Sequence, residues 1–390
     1  MTPRILFLDH VGVLGGAELS LLDVARHFAD VSRVALFEDG PFRHRLEEAG
    51  VGVDVLAAPE SVKKVSREGG KGGDLKSLPG VAALAWRVAR RARGYDVLYA
   101  NSQKSFVVGS VAARLARKPM IWHLRDLLTD DHFSASHRRL AVTLGNRLAT
   151  RVIANSEATA HAFVESGGRA DRVRVVYNGI DPAPFEAVTP EETAAARREI
   201  GLGDAPAVGV FSRLSPWKGQ HVLLDALTRM PGLHAVLVGG ALFGDEERYA
   251  ASLHEKVVAY GLSDRVHFLG FRRDVPRLLH AVDVVAHTSV APEPFGRVVV
   301  EGMLAGRPVV ATRAGGVLEI VEDGVTGRLV PPGDAAALAE TLGALLAAPA
   351  RTAALARAGR EAARRRFSRD AMLEGVARQI CGVAGFQAVT

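Results

Sequence analysis

Tyr177-Asn178-Gly179-Ile180-Asp181-Pro182-Ala183-Pro184-Phe185 stands near the middle of a 390-residue chain. Asn-Gly followed by two prolines interrupts regular structure, because glycine favours turns and proline neither donates a backbone hydrogen bond nor continues a helix. Short apolar runs separated by helical patterns lie on both sides of it. Before it, strands are predicted at Ile5–Leu8, Val34–Phe37, Val53–Leu56, Val97–Ala100, Met120–His123, Val152–Ala154 and Val173–Val176. After it the alternation restarts at Val208–Phe211, His234–Val238, Val266–Leu269, Val284–His287, Val309–Ala311 and Arg328–Val330. Helices are predicted after Gly16, with Leu19, Leu22, Val24, Ala25 and Phe28 as the apolar side, at Gly219–Thr228 and at Glu246–Tyr260. Strands alternating with helices are the pattern of βαβ units and parallel sheets. The expected fold class is α/β, with Rossmann-like domains at residues 1–180 and 181–365. A helix within 366–390, carrying Met372, Leu373 and Val376, is expected to cross back to the first domain. Two such domains facing each other would set a deep cleft at the carboxyl ends of both sheets, where open α/β folds take ligands.

Within the second half, Glu293-Pro294-Phe295-Gly296-Arg297-Val298-Val299-Val300-Glu301 sets two carboxylates eight positions apart. Eight residues cover a little over two helical turns, so the two can share a face and grip several hydroxyls, as a sugar and a ribose require. Gly315-Gly316 follows, and glycine lets backbone amides approach a phosphate closely. Ser212-Arg213-Leu214-Ser215-Pro216-Trp217-Lys218-Gly219 follows the first strand of the same half and ends at a helix start. Arginine offers a planar fork and lysine a point charge, and together they counter charge on a diphosphate. The combination points to a nucleotide-activated sugar.

The first half offers less specific signals. Gly12-Val13-Leu14-Gly15-Gly16-Ala17-Glu18 departs from the G-x-G-x-x-G fingerprint, yet a glycine pair at a helix start presents amides to a phosphate or a hydroxyl. Trp122-His123-Leu124-Arg125-Asp126 ends a strand at the edge where a ligand is expected. His123 there either hydrogen-bonds a sugar and helps with a proton or is simply satisfied at a strand end. Asn101-Ser102 and Asn155-Ser156-Glu157 also end strands, and the second group reads as a helix cap.

Composition removes several classes. Cys381 is the single cysteine, so no internal disulfide forms and a reducing cytoplasm is the expectation. No apolar run reaches the length of a bilayer span, and the amino-terminal apolar run is too short for a signal-peptide core. Through Asp181 there are 26 Lys+Arg against 20 Asp+Glu, so the whole net charge of +6 lies in the first half. That excess fits an anionic acceptor or membrane surface, or equally an arginine-rich solvated face. Ser61–Gly80 carries Lys63, Lys64, Arg67, Lys71 and Lys76 among glycines and reads as a loop. The helix after it holds Trp86 with Arg87, Arg90, Arg91 and Arg93, which suits either a lipid surface or an ordinary amphipathic helix. No nucleic-acid-binding motif, Walker-A spacing, His-Glu-x-x-His or paired cysteines occur, so neither nucleic acid nor a bound metal or other cofactor is expected.

Taken in order, these motifs resemble the retaining glycosyltransferases of the GT-B fold, glycosyltransferase family 4. The resemblance runs along nearly the whole chain, through the Gly-Gly loop, Asn178-Gly179-Ile180-Asp181, Arg213 with Lys218, His267-Phe268-Leu269-Gly270, Glu293 to Glu301, and Gly315-Gly316. It implies a metal-independent retaining transfer from a nucleotide sugar, most often a UDP-sugar, to a glycan, lipid-linked, anionic or small-metabolite acceptor. By the same resemblance Arg213 and Lys218 bind the donor pyrophosphate, Glu293 with Phe295 and Gly296 holds the transferred sugar, and Glu301 holds the ribose. Gly15 and Gly16 cover the donor phosphate, His267, Phe268 and Gly270 line the base mainly through backbone, and His123 faces the donor sugar. Glu293, His123, Arg213 and Lys218 form the implied catalytic set. The family's common His-Asp pair is here His-Leu-Arg-Asp, which detaches Asp126 from the pattern. A cytoplasmic protein, peripheral at the inner membrane face, is the implied location. A nucleotide-sugar epimerase and a non-catalytic nucleotide-sugar-binding protein are the competing readings.

Overall fold

A computed structural model of the chain describes residues 2–60, 73–241 and 244–386. Lys63, Lys64, Arg67 and Lys71 of the basic segment, and the Lys76 side chain, lie outside the described residues. The chain forms two compact units: residues through Gly179 together with those from Arg369 onward, and Ile180–Ser368.

Among the described residues the first unit holds β1 (Ile5–Asp9), β2 (Ser32–Leu36), β3 (Gly52–Val55), β4 (Val97–Ala100), β5 (Met120–Leu124), β6 (Arg151–Ala154) and β7 (Val173–Val175). They form one parallel sheet in the order β3-β2-β1-β4-β5-β6-β7. The second unit holds β8 (Ala207–Phe211), β9 (His234–Val238), β10 (Val266–Gly270), β11 (Val284–His287), β12 (Val309–Thr312) and β13 (Arg328–Val330), in the parallel order β10-β9-β8-β11-β12-β13. Every predicted strand is present, because a parallel strand covered by helices on both faces reads as a continuous apolar run. The central strands β1, β4, β5 and β8 are buried at every position.

Side chains alternate across each sheet, so the two faces build separate cores. In the first unit Leu6 and Leu8 pack on one face with Leu84, Val88, Phe106 and Trp122. Ile5 and Phe7 pack on the other with Leu21 and Val24 of the helix Gly16–His27. That second face is completed from the far end of the chain. Met372, Val376 and Ile380 of the helix Arg369–Ala384 belong to the same core. In the second unit Val208, Val210, Leu237 and Val284 pack under Leu223, Leu224, Leu338 and Leu342.

The helix Gly73–Ala92 leaves Trp86 56% exposed, with the Arg90 guanidinium 4.9 Å from its ring centroid. Two neighbouring arginines are engaged inside the unit: Arg91 pairs with Asp54 and Arg87 donates to the Ala57 carbonyl. Among the described residues no helix is long and apolar enough to cross a membrane.

Ile380 is fully buried against a sheet whose last strand ends some two hundred residues earlier. Ile380→Ala is expected to destabilise the first unit by about 2–5 kcal/mol, the usual range for such a core truncation. Urea unfolding followed by fluorescence in a W217F background, where only Trp86 and Trp122 of the first unit report, measures it. An unshifted transition would detach the helix from that core.

Candidate functional site

In an open parallel sheet, ligands sit at the carboxyl edge where neighbouring strands lead away in opposite directions. In the second unit that point lies between β8 and β11. The turn Ser212–Gly219 leaves β8 and the loop from Thr288 to Gly296 leaves β11. Their backbones meet. Thr288 Oγ1 donates to the Lys218 carbonyl at 2.9 Å, and the Val290 amide donates to the Trp217 carbonyl at 2.8 Å. Gly219 has φ of 68°, and a Cβ there would lie 2.0 Å from the Thr288 carbonyl oxygen, so no other residue fits without moving the loop. A third loop, leaving β12, joins them through the Gly316 amide, which donates to the Glu293 carbonyl at 2.8 Å. The sequence reading gives Gly315-Gly316 to a phosphate; in the fold the pair seats one loop against another.

This junction brings charge together. The Lys218 ammonium bonds Oε1 of Glu293, and Ser289 Oγ at 2.8 Å and His287 Nε2 at 3.1 Å donate to the same oxygen. Lys218 also lies over the Trp217 ring, 4.0 Å from its centroid. Burial alone would raise the Glu293 carboxyl's pKa, but the Lys218 charge and the His287 hydrogen bond hold it well below the usual carboxylate range. Glu293 is therefore an ionised hydrogen-bond acceptor with its contacts gathered on one oxygen.

Arg213 donates from Nη1 to Oε1 of buried Glu246 at 2.9 Å. Its carbonyl is fixed by Gln220 Nε2 at 2.7 Å, which also donates to Ser212 Oγ at 2.9 Å. Gly296, with φ of 103°, starts the helix Arg297–Leu304, on which Glu301 accepts from Arg297 Nε at 2.7 Å. The Phe295 ring points into the core, edge-on to Phe367. His267 turns from the carboxyl edge: its ring stacks on His234, the first residue of β9, with Nε2 to Nδ1 at 3.0 Å. The Phe268 ring rests on His254, and Gly270 at the strand end accepts the Gly239 amide. So the fold gathers Lys218 and Glu293, places Arg213 on the same turn, and puts the His267 and Phe268 side chains elsewhere.

In the first unit the equivalent point lies between β1 and β4. The Gly15 amide donates to Oε2 of Glu18 at 2.9 Å, closing the start of the helix Gly16–His27. Burial, then the charge of Asp9, pushes the Glu18 carboxyl up to about 7. His123 is fully buried in β5, with Nδ1 bonded to Tyr99 Oη and 3.1 Å from Arg125 Nη2. Burial and the Arg125 charge hold its pKa well below the usual histidine range. Arg125 is the residue that sequence reasoning missed. It donates to Asn101 Oδ1 at 2.6 Å and Asn178 Oδ1 at 2.8 Å, joining two strand ends and the end of the unit. A charged residue directly after a fully buried strand is the one sequence sign of it.

Comparison with known proteins agrees with these two units. Residues 15–179 match the glycosyl transferase 4-like domain, and residues 193–364 match the glycosyl transferases group 1 family. The D-inositol 3-phosphate glycosyltransferase of Mycolicibacterium gilvum is 37% identical over 267 residues, covering 65% of this chain and 59% of that protein. The chain spans about half the length of the curated relatives it matches. Anabaena HepE, solved in complex with UDP-glucose, is 43% identical with a TM-score of 0.90, covering 97% of this chain and 100% of that one. Its complex with UDP and glucose gives 44% identity and a TM-score of 0.89, over 97% and 99% of the two chains. With the motifs, the paired Rossmann-like sheets and both family matches in one order, the chain belongs to glycosyltransferase family 4 and has the GT-B fold.

Proposed function

We propose that this protein is a retaining glycosyltransferase that moves a sugar from a UDP-sugar to a hydroxyl-bearing acceptor, with the donor held at the carboxyl edge of β8 and β11. The observation that carries this reading is the pair of half-buried Lys218 and buried Glu293 at that edge. A donor diphosphate would draw the ammonium toward itself, leaving the carboxylate to accept hydrogen bonds from sugar hydroxyls. Arg213 on the same turn adds a second cation, so negative charge building on the leaving diphosphate is countered without a metal. Glu301 is assigned to the ribose, and Gly15 and Gly16 to an anionic group through their backbone amides, the Gly15 amide exchanging Glu18 for that group. Gly270, at the end of β10, is assigned to the base through its backbone. The HepE structures, in complex with UDP-glucose and with UDP and glucose, support the choice of donor.

Glu293 in this reading positions the sugar and is not a proton donor, since its carboxyl stays ionised. The sugar's anomeric C–O bond to the diphosphate breaks, the acceptor oxygen bonds that carbon from the same face, and the acceptor's proton passes to the departing diphosphate oxygen, so configuration is retained without a covalent enzyme intermediate. An acceptor that is a glycan, a lipid-linked glycan or an anionic metabolite fits the basic first half. Exposed Trp86 stacked with Arg90 suits peripheral contact with an anionic membrane at the cytoplasmic face. The epimerase and binding-only readings are not favoured.

Incubation with UDP-, GDP- and ADP-sugars, with and without candidate acceptors, tests the reaction. Release of UDP that an acceptor accelerates is the expected result. A sugar epimer formed without acceptor would indicate an epimerase, and donor binding without release a binding protein. Lys218→Ala is expected to lower donor kcat/KM by roughly 100- to 1,000-fold, as for loss of one preorganised partner of a developing charge. An unchanged value would remove Lys218 from the donor site.

The depressed Glu293 pKa also makes stability depend on pH. Its folded value lies below the ordinary 4.5, so its ionic contribution is fully present above about pH 4.5 and is lost as pH falls through the folded value. Glu293→Gln should therefore unfold more readily than the native protein at neutral pH, with the gap narrowing below about pH 4.5. Urea unfolding at both pH values measures this, and a gap independent of pH would contradict the ionic account.

A further inference from the structure

The first unit's carboxyl edge carries a continuous hydrogen-bonded chain that the donor reading leaves without a task. Asp9 ends β1, Asn101 follows β4, and His123 and Arg125 lie on and just after β5. Asn101 Nδ2 donates to Asp9 Oδ2 at 2.7 Å, while Asn101 Oδ1 accepts from Arg125 Nε at 2.6 Å. At one end of the chain stands His10, whose Nδ1 lies 3.3 Å from Asp9 Oδ1 and 2.8 Å from Ser102 Oγ. At the other stands His123, bonded to Tyr99 and Arg125.

Counting hydrogens assigns both rings. A guanidinium has donors and no acceptor, so Arg125 Nη2 at 3.1 Å requires a lone pair on His123 Nδ1. Tyr99, whose phenol burial keeps protonated, points its hydrogen at the same nitrogen, so the two donors share its one lone pair. The neutral ring then carries its proton on Nε2. That nitrogen is buried and has no hydrogen-bond partner among the described residues. At His10 the logic reverses. Ser105 Oγ donates its one hydrogen to the Ser102 carbonyl at 3.0 Å, so between the two hydroxyls, 2.8 Å apart, Ser102 is the donor. Ser102 has no hydrogen left for His10, and the Asp9 carboxylate only accepts. His10 Nδ1 must be the donor, and in the neutral ring that leaves a lone pair on Nε2, the side chain being 27% exposed.

We infer that Asp9, Asn101 and Arg125 are positioning residues that hold two histidines in opposite neutral tautomers, His10 as an Nε2 hydrogen-bond acceptor and His123 as an Nε2–H donor. A hydroxyl both gives and takes a hydrogen bond, so the pair equips this edge for a polyol or sugar. It removes His123 from acid–base duty, because a ring locked by a cation cannot take up a second proton at Nδ1. Glu18 also stands against the cluster, its carboxyl acted on by the charges of Asp9 and Arg125. The use of the edge for substrate rests on the glycosyl-transfer reading; the tautomers do not.

Two-bond proton–nitrogen spectra of the full chain labelled with 15N-histidine test this, with H10N and H123N spectra assigning the rings. The expected patterns are Nδ1–H for His10 and Nε2–H for His123, the latter unchanged from about pH 8 to about pH 5.5, a range in which an ordinary histidine titrates. Arg125→Met removes the donor that requires the Nδ1 lone pair, so the His123 signals should show a mixture of Nδ1–H and Nε2–H forms, and Arg125→Lys should restore the single pattern. An Nε2–H pattern at His10, an Nδ1–H or charged ring at His123, or an R125M spectrum identical to the native one would overturn the inference. If the tautomers are as expected while no nucleotide sugar is turned over, the inference stands and the transfer reading alone fails.

Discussion

A buried ammonium and a buried carboxylate are each expensive in isolation, by several kcal/mol even after relaxation, and become tolerable only when held together and hydrogen-bonded. Lys218 and Glu293 meet that condition because three loops are forced into backbone contact. Were the β8 turn drawn away from the β11 loop, the lysine would lose its partner and the glutamate would keep His287 and Ser289. The left-handed Gly219 against Thr288, and Gly315 against Glu293, make the approach close enough. Those glycines therefore act on the electrostatics of the site although none of their atoms carries charge.

The first unit solves a related problem differently. At its own carboxyl edge a buried arginine faces two buried acids, Asp9 and Glu18, through amides and a neutral imidazole. Charge is spread along side-chain dipoles, an arrangement that orders protons well and leaves little net field.

The sequence made the sheets legible because a doubly covered parallel strand has no polar face to disguise it, and all thirteen predicted strands are found within one or two residues at their ends. Lys218, Glu293 and Arg213 were legible for a local reason: each sits beside a glycine, proline or strand end that marks a turn. The His10–Asp9–Asn101–Arg125–His123 chain was not, since its bonds join residues as far as 92 positions apart. Only the order of strands in the sheet makes those positions neighbours. His267 shows the same limit from the other side, since the sequence assigns its backbone and leaves its ring without a place. It lies in a recognisable motif, but strand alternation points its ring toward His234 and off the edge that its backbone reaches.

The helix Arg369–Ala384 closes one face of a sheet made from the first 175 residues, so Ile5, Phe7 and Tyr99 share a core with Met372, Val376 and Ile380. Domains made early in synthesis ordinarily fold before the rest of the chain appears. Here the first unit to emerge from a ribosome has an uncovered apolar face until the last helix follows it out. The second unit, synthesised later, is the one whose described residues form a single uninterrupted stretch apart from 242 and 243. Order of translation and order of completion are thus reversed, and a nascent chain stalled after the second unit would display that sticky face to its surroundings.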